Sequence, residues 1–482
     1  MKLFGGKLGR VLKWLAKAVF LVLVVVPLVF AAAFLGIQEA SEREWLGRAP
    51  SHPAIDVRSQ EPHQVMLLDV GFDSLAERLR MIDSATQSIE LEFFIYEIDE
   101  ASRLISQALA RKAREGVKVR ILVDFATPVF KLAPEYVKSL EKAGVEVRYY
   151  NTTGLARIFA SQHRTHRKLL VVDRHSAIIG GRNIGNDYFD ISEHYNFLDS
   201  DLRLDGPVAA AIADSFELYW ASDWVTDPKD LREEEVVVTG GGLLGQLSAH
   251  EAALLAELDE HKPSLNVSTC PDLHFITDYP GSGVERRRVF NAVSRLVDEA
   301  DEAIFVESPY LVLRADGAEV MKAVTRKGAK LTFLTNSLYS TDAFYTVANL
   351  ADSLDMLKVP GIEVWAYKGQ PLQGSVRPPA SQRWGVHSKR AVVDDDTVVI
   401  GTYNIDPRSA NLNSELIVIC RGNETLAAEV KASQQARLAQ SVPITGTPDA
   451  GGYNALIEGA DGFTVWKMRM SAPFADFLDF LL

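Results

Sequence analysis

Two stretches of this sequence carry the same reactive residues at the same spacing. One is His166-Arg-Lys168 with Asp173, followed by Gly180-Gly-Arg-Asn183; the other is His387-Ser-Lys389 with Asp394, followed by Gly401-Thr-Tyr-Asn404. With ten histidines in the chain, a chance Lys at +2 and Asp at +7 is expected about 0.03 times at roughly 5% usage of each residue. Two matches in equivalent surroundings therefore imply two half-sites of one centre. A neutral imidazole can attack, a protonated one can release an alcohol, and fixed ammonium and amide groups can offset the charge of an anionic target. That combination suits a phosphodiester, with Lys168 and Lys389 supplying charge and Asn183 and Asn404 supplying amides. No cluster with metal-ligand spacing accompanies the motifs, so the chemistry requires neither a metal nor a cofactor.

The elements that must position these residues follow from the pattern around them. His and Lys at i and i+2 on extended backbone point to one face. The apolar run after each Lys (Leu169 to Val172; Ala391 to Val393) and the next one (Ala177-Ile-Ile; Val398-Val-Ile) read as buried strands joined by a turn at the motif aspartate. Asp173 and Asp394 thus belong to the motifs as turn closers. Ser88 to Tyr96, Gly116 to Asp124 and Gly144 to Tyr150 return as Ala303 to Tyr310, Gly328 to Asn336 and Gly361 to Tyr367, each flanked by amphipathic segments. Strands alternating with helices, twice over, predict a duplicated α/β fold with helices packed on mixed sheets.

Composition bounds the reading. At 482 residues the chain exceeds the usual size of one core, so two domains are expected. A formal net charge of -13 argues against blanketing nucleic acid. The two cysteines, Cys270 and Cys420, give no disulfide framework; buried, unpaired thiols are the expectation, with one bridge as the alternative outside the cytoplasm.

Lys2, Lys7, Arg10, Lys13 and Lys17 precede Ala18 to Ile37, an uncharged and mostly apolar run whose helical length, about 30 Å, matches the hydrocarbon thickness. We expect residues 1–37 to form a basic N-terminus and transmembrane anchor, with everything after Ile37 across the membrane from the cytoplasm. A cleaved signal at Ala31-Ala-Ala33 is the alternative. Residues 38–64 read as a tether, 65–230 as a first domain, 231–263 as a connector and 264–482 as a second domain. The apolar C-terminal stretch Ser471 to Leu482 is expected to pack on the second domain, lipid contact being the sharper reading.

The paired motifs resemble the phospholipase D superfamily. Gly180 to Phe189, Asn404-Ile-Asp-Pro-Arg-Ser, Asn413-Ser-Glu415, Phe197 to Leu202 and Thr335 to Asp342 are most similar to bacterial cardiolipin synthases, over about residues 65 to 482. The resemblance implies two phospholipase D-like α/β domains packed about a pseudo-twofold axis after the anchor, at the bacterial inner membrane with the catalytic domains on its outer side. It implies phospholipid substrates and transfer of a phosphatidyl group through a covalent phosphohistidine to phosphatidylglycerol, giving cardiolipin, with phosphatidylglycerol and phosphatidylethanolamine both open as donor. Hydrolysis is the alternative; the anchor weighs against a nuclease, and two intact motifs weigh against a scaffold. Residue by residue, His166 matches the nucleophile and His387 the acid, although the near symmetry of the motifs leaves that order open. Asp199 matches the carboxylate that fixes the tautomer of His166, and Glu415 that of His387. Arg164, in a cluster with His163 and Arg167, and Arg408 are candidates for the anionic headgroup, with solvated-loop and structural roles as alternatives. His175 and His194 have no matched partner and are expected at the surface.

Overall fold

The computed structural model describes residues 56–125, 134–152, 162–231, 244–281, 287–313, 315–371 and 383–472, with six isolated positions before residue 56. Apart from isolated positions, the anchor expected over residues 18–37 lies outside the described residues, as does the stretch after 472. Among the described residues no helix is long and apolar enough to cross a membrane.

Two nine-stranded sheets share one strand order. The first runs Val225–Thr226, Glu146–Tyr150, Lys118–Asp124, Ser88–Phe93, Leu169–Val172, Ser176–Gly180, Asp201–Asp205, His63–Leu68, Val267–Cys270. The second runs Ser441–Thr445, Ile362–Tyr367, Lys330–Asn336, Ala303–Glu307, Arg390–Val393, Thr397–Gly401, Leu416–Arg421, Asp272–Thr277, Val57–Ser59. In each, three parallel strands meet an antiparallel set at the motif strand. The expected duplication and mixed sheets are both present.

The motif strands are buried on both faces, which is why they read as continuous apolar runs. Leu170 and Val172 enter a core covered by helices Gly71–Ser84, Glu100–Arg114 and Pro134–Lys142. Leu169 and Val171 enter a second core that also takes Val392, Val398, Ile400 and side chains of helices Pro207–Trp220 and Glu424–Leu438. That second core is shared by both sheets, so the two halves are joined by apolar packing as well as by the site.

Three features differ from the sequence expectation. The stretch read as a tether contributes Val57–Ser59, which pairs with Asp272–Thr277 at the edge of the second sheet. Val267–Cys270 pairs reciprocally with His63–Leu68 at the edge of the first sheet, so each half lends its leading strand to the other. Within the stretch read as connector, helix Ala249–Glu260 places Leu254 and Leu258 in the first core and pairs Glu251 with Arg103. The cysteines, expected as unpaired thiols, form a disulfide. Cys270 lies on an edge strand of the first sheet and Cys420 on an inner strand of the second, with Cα atoms 5.8 Å apart. Strand exchange brings together two residues that are 150 apart in sequence.

A native disulfide typically contributes about 2–4 kcal/mol. The Cys270→Ala/Cys420→Ala variant should lose stability of that order in denaturant unfolding, and reductant should no longer affect it. A variant as stable as the unaltered chain, with both equally insensitive to reductant, would remove the bridge from the account.

Candidate active site

Each histidine is carried at the entry to its motif strand and fixed there by backbone of the other half. Thr165 and Ser414 form a parallel bridge, and the His166 amide donates to the Ser414 carbonyl at 2.9 Å. Trp384–Val386 pairs in parallel with Asn196–Leu198, and the His387 amide donates to the Leu198 carbonyl at 2.8 Å. Ser414 and Leu198 immediately precede the two candidate carboxylates. The partners are therefore crossed relative to the sequence expectation: His166 Nδ1 lies 3.0 Å from Glu415 Oε2, and His387 Nδ1 lies 2.5 Å from Asp199 Oδ2. The resemblance implied a carboxylate from the same half, but the backbone beside each histidine comes from the other.

Glycine permits one of these close approaches. A Cβ at Gly181 would stand 2.2 Å from Asp199 Oδ1. At the matching position Thr402 instead donates its hydroxyl to Glu415 Oε2 at 2.5 Å. Thr402 thus gives Glu415 a side-chain hydrogen bond that glycine at the matching position of the first half cannot supply to Asp199.

The lysines join both half-sites electrically. Lys168 Nζ donates to the His166 carbonyl at 2.8 Å, and Lys389 Nζ lies 3.0 Å from His387 Nδ1 and 3.1 Å from Nε2. Both imidazoles are buried, at 7% and 8% side-chain exposure, against Phe94 on one side and against Tyr188 and Phe197 on the other. Burial, then Lys168 and Lys389, holds His166 well below the ordinary imidazole range. Burial and Lys389 bring His387 down to about 3 against the pull of Asp199. Burial also lowers Lys389 to about 8 and Lys168 well below its ordinary value. The carboxylates diverge. Burial pushes Glu415 up to about 7 although Lys168 opposes it, whereas at Asp199 burial is outweighed by His387, Lys389 and Arg182, so that this carboxyl stays well below the usual range.

The remaining candidates take different places. Asp173 sits past the far end of its strand and accepts from the amides of Thr86, Gln87 and Ser88, while Asp394 accepts from those of Glu302 and Ala303. Both are turn closers, at a φ of 51° that aspartate tolerates. Asn183 spends its carbonyl on the Ile95 amide and donates to the Tyr188 hydroxyl; Asn404 Oδ1 is buried without a hydrogen-bond partner among the described residues. Arg164 pairs with Asp124 at 2.8 Å and donates to the Asn151 carbonyl, and Arg408 donates to Gln162. Both guanidiniums are buried in internal contacts, so they brace the chain instead of opening toward a headgroup. His163 is fully buried, not part of a solvated loop. His175 and His194 are exposed, as expected.

Sequence reasoning missed two clamps. Asp124 accepts from the Thr165 amide at 2.8 Å, and Asn336 accepts from the Val386 amide at 2.8 Å while donating to its carbonyl. Each fixes the residue just before a histidine. Their signal was present, since both end the duplicated strands that begin at Gly116 and Gly328. An apolar cavity of about 150 Å³ also reaches Lys389, lined by Phe290, Leu296, Val306, Met321, Phe333 and Ile417 among others.

With this geometry established, similarity to known proteins has a structural meaning. The family model for cardiolipin synthase, phospholipase D-like domain, matches residues 79–220 and 293–436. The chain belongs to this family and so to the phospholipase D superfamily. It is 29% identical over 407 residues to cardiolipin synthase C of Escherichia coli K12, covering 77% of this chain and 84% of that protein. It is 26% identical over 358 residues to the major cardiolipin synthase of Bacillus subtilis 168, covering 74% and 65%. A crystal structure of phosphatidylserine synthase from Haemophilus influenzae Rd KW20 superimposes with a TM-score of 0.61 at 14% identity, covering 92% of this chain and all of that one, and so shares its fold.

Lys389 should shape the alkaline limb of activity. Its ammonium is lost as pH rises through about 8, which removes positive charge from the free site, so kcat/KM should fall above that pH. A bound anion favours the protonated form, so the limb in kcat should lie higher. Lys389→Arg cannot deprotonate in this range and should lose the inflection whatever its absolute rate. An inflection that persists unchanged in that variant would assign the limb to another group.

Proposed function

We propose that this phosphatidyltransferase of the phospholipase D superfamily makes cardiolipin. The observation that carries the reading is the pair of buried imidazoles, each with a carboxylate on Nδ1 and both beside two lysines. Nδ1 held by a carboxylate leaves Nε2 to react. His166 Nε2 attacks phosphorus and the P–O bond to the leaving headgroup alcohol breaks as His387 gives that oxygen a proton. The acceptor, a phosphatidylglycerol, then loses its hydroxyl proton to His387. Its oxygen attacks phosphorus, and the P–N bond breaks to restore neutral His166.

The order of the histidines rests on their partners. Ionised Asp199 pulls a proton toward His387 and offsets part of the burial and Lys389 charge that depress it, whereas Glu415, itself pushed up by burial, gives His166 no such pull, so the proton for the leaving oxygen is held more readily on His387 than on His166. Transfer in preference to hydrolysis is supported by burial of the imidazoles and by the apolar cavity at Lys389, both of which favour a lipid alcohol over water. The Cys270–Cys420 bridge supports catalytic domains outside the cytoplasm, since disulfides persist in oxidising compartments. The basic N-terminus and apolar run supply the anchor in the bacterial inner membrane.

Expression in a cardiolipin-deficient bacterium should restore cardiolipin by lipid mass spectrometry, and His166→Ala should restore none. With a nitrophenyl phosphatidyl donor, whose leaving group needs little acid help, His387→Ala should accumulate a phosphatidyl adduct on His166. General acid catalysis is typically about 100- to 10,000-fold, so the bypass should be clear in intact-protein spectra. Phosphatidic acid without cardiolipin would favour hydrolysis, and an adduct on His387 in His166→Ala would invert the roles.

A further inference from the structure

Helix Gly462–Ser471 is capped by Asp461, which accepts from the Phe463 and Thr464 amides. Its inner face, with Val465 and Met468, packs into the second half's core. Its outer face carries Phe463, Trp466 and Met470, which are 65%, 55% and 56% exposed. Their i, i+3, i+7 spacing makes one stripe. Of the eight exposed large apolar side chains among the described residues, these three share one helix face; Trp14, Leu21 and Val29 lie at the N-terminus, and Val267 and Met356 stand singly. Single exposed side chains are ordinary, whereas a contiguous stripe marks a contact surface.

The chemistry of the stripe is interfacial. Phe463 and Trp466 stack with centroids 5.8 Å apart. Half-buried Lys467 has its Nζ 5.2 Å from the ring centroids of both Phe463 and Phe344. Arg469 adds a second cation, and the helix contains no carboxylate although the chain carries a net charge of -13. Aromatic rings flanked by cations fit the headgroup layer of an anionic bilayer. The stripe is linked to the site through the segment that carries Asp342. Phe344 follows Asp342 by two residues; Asp342 is exposed and accepts from the Tyr310 hydroxyl at 3.2 Å, and its charge acts on Lys389 and on Tyr188, which packs against His387.

We propose that this face is an interfacial platform. Phe463, Trp466 and Met470 insert among the headgroups of an anionic phospholipid bilayer, Lys467 and Arg469 meet lipid phosphates, and the mouth of the site is held against the surface from which it draws its lipid. The proposal rests on the phospholipid-transferase reading and adds a docking surface separate from the N-terminal anchor.

The test uses the full chain reconstituted in vesicles of phosphatidylglycerol and phosphatidylethanolamine. With brominated acyl chains, the fluorescence difference between unaltered protein and Trp466→Phe should show that Trp466 is strongly quenched. The Phe463→Ser/Trp466→Ser/Met470→Ser variant should raise KM for bilayer phosphatidylglycerol about tenfold or more, with kcat/KM unchanged on a short-chain phosphatidylglycerol kept below its micelle concentration. Absence of quenching, or quenching that appears only after removal of residues 473–482 or on dilution of a self-associated form, would show that another part of the chain or a second copy covers the face and would overturn the platform. Equal loss on bilayer and monomeric lipid would overturn it too. Quenching of Trp466 in a protein that transfers neither lipid would uphold the platform and refute the functional reading instead.

Discussion

The crossed imidazole–carboxylate pairs are the constraint on which the rest of the molecule depends. His166 is held by Ser414 and Glu415, and His387 by Leu198 and Asp199, so neither half contains a complete imidazole–carboxylate pair. A buried carboxylate with no partner is costly, which makes docking of the halves and assembly of the site a single event. Catalytic geometry then inherits its rigidity from sheet hydrogen bonding instead of from loop packing.

Several features serve that docking. The edge strands are exchanged, the shared core takes side chains from both sheets, and a disulfide joins them. A buried ion cluster adds direction: Asp69 of the first half pairs with Arg390 and Arg437 of the second, each at 2.8 Å, and both arginines also pair with Glu307. Removing one partner from such a cluster typically costs about 3–5 kcal/mol because the others remain buried and charged. The cluster contributes alignment more than net stability, since Arg390 follows Lys389 directly at the start of the motif strand.

Much of this was legible in the residues. The doubled His, Lys and Asp spacing gave the half-sites, the apolar runs gave strands buried on both faces, and the matched glycine-led strands gave the duplication. What the sequence could not supply was which half each contact crosses to. Asp199 and Glu415 are identifiable as carboxylates downstream of the motifs, but their assignment needs the inter-half pairing of 384–386 with 196–198. Arg164 and Arg408 looked available because charge patterning cannot distinguish a basic patch from an arginine buried against Asp124 or Gln162. The cysteine bridge was hidden for a similar reason, since it depends on a strand exchanged between sheets.

The crossed assignment can be tested through single-turnover release of nitrophenol from an activated phosphatidyl donor by Glu415→Gln and Asp199→Asn. In the proposed order Glu415 serves the nucleophile, so Glu415→Gln should lose the burst. Asp199 serves the acid that this donor does not need, so Asp199→Asn should retain a burst of about one equivalent followed by slow turnover. The opposite pattern, with the burst lost in Asp199→Asn and kept in Glu415→Gln, would contradict the account.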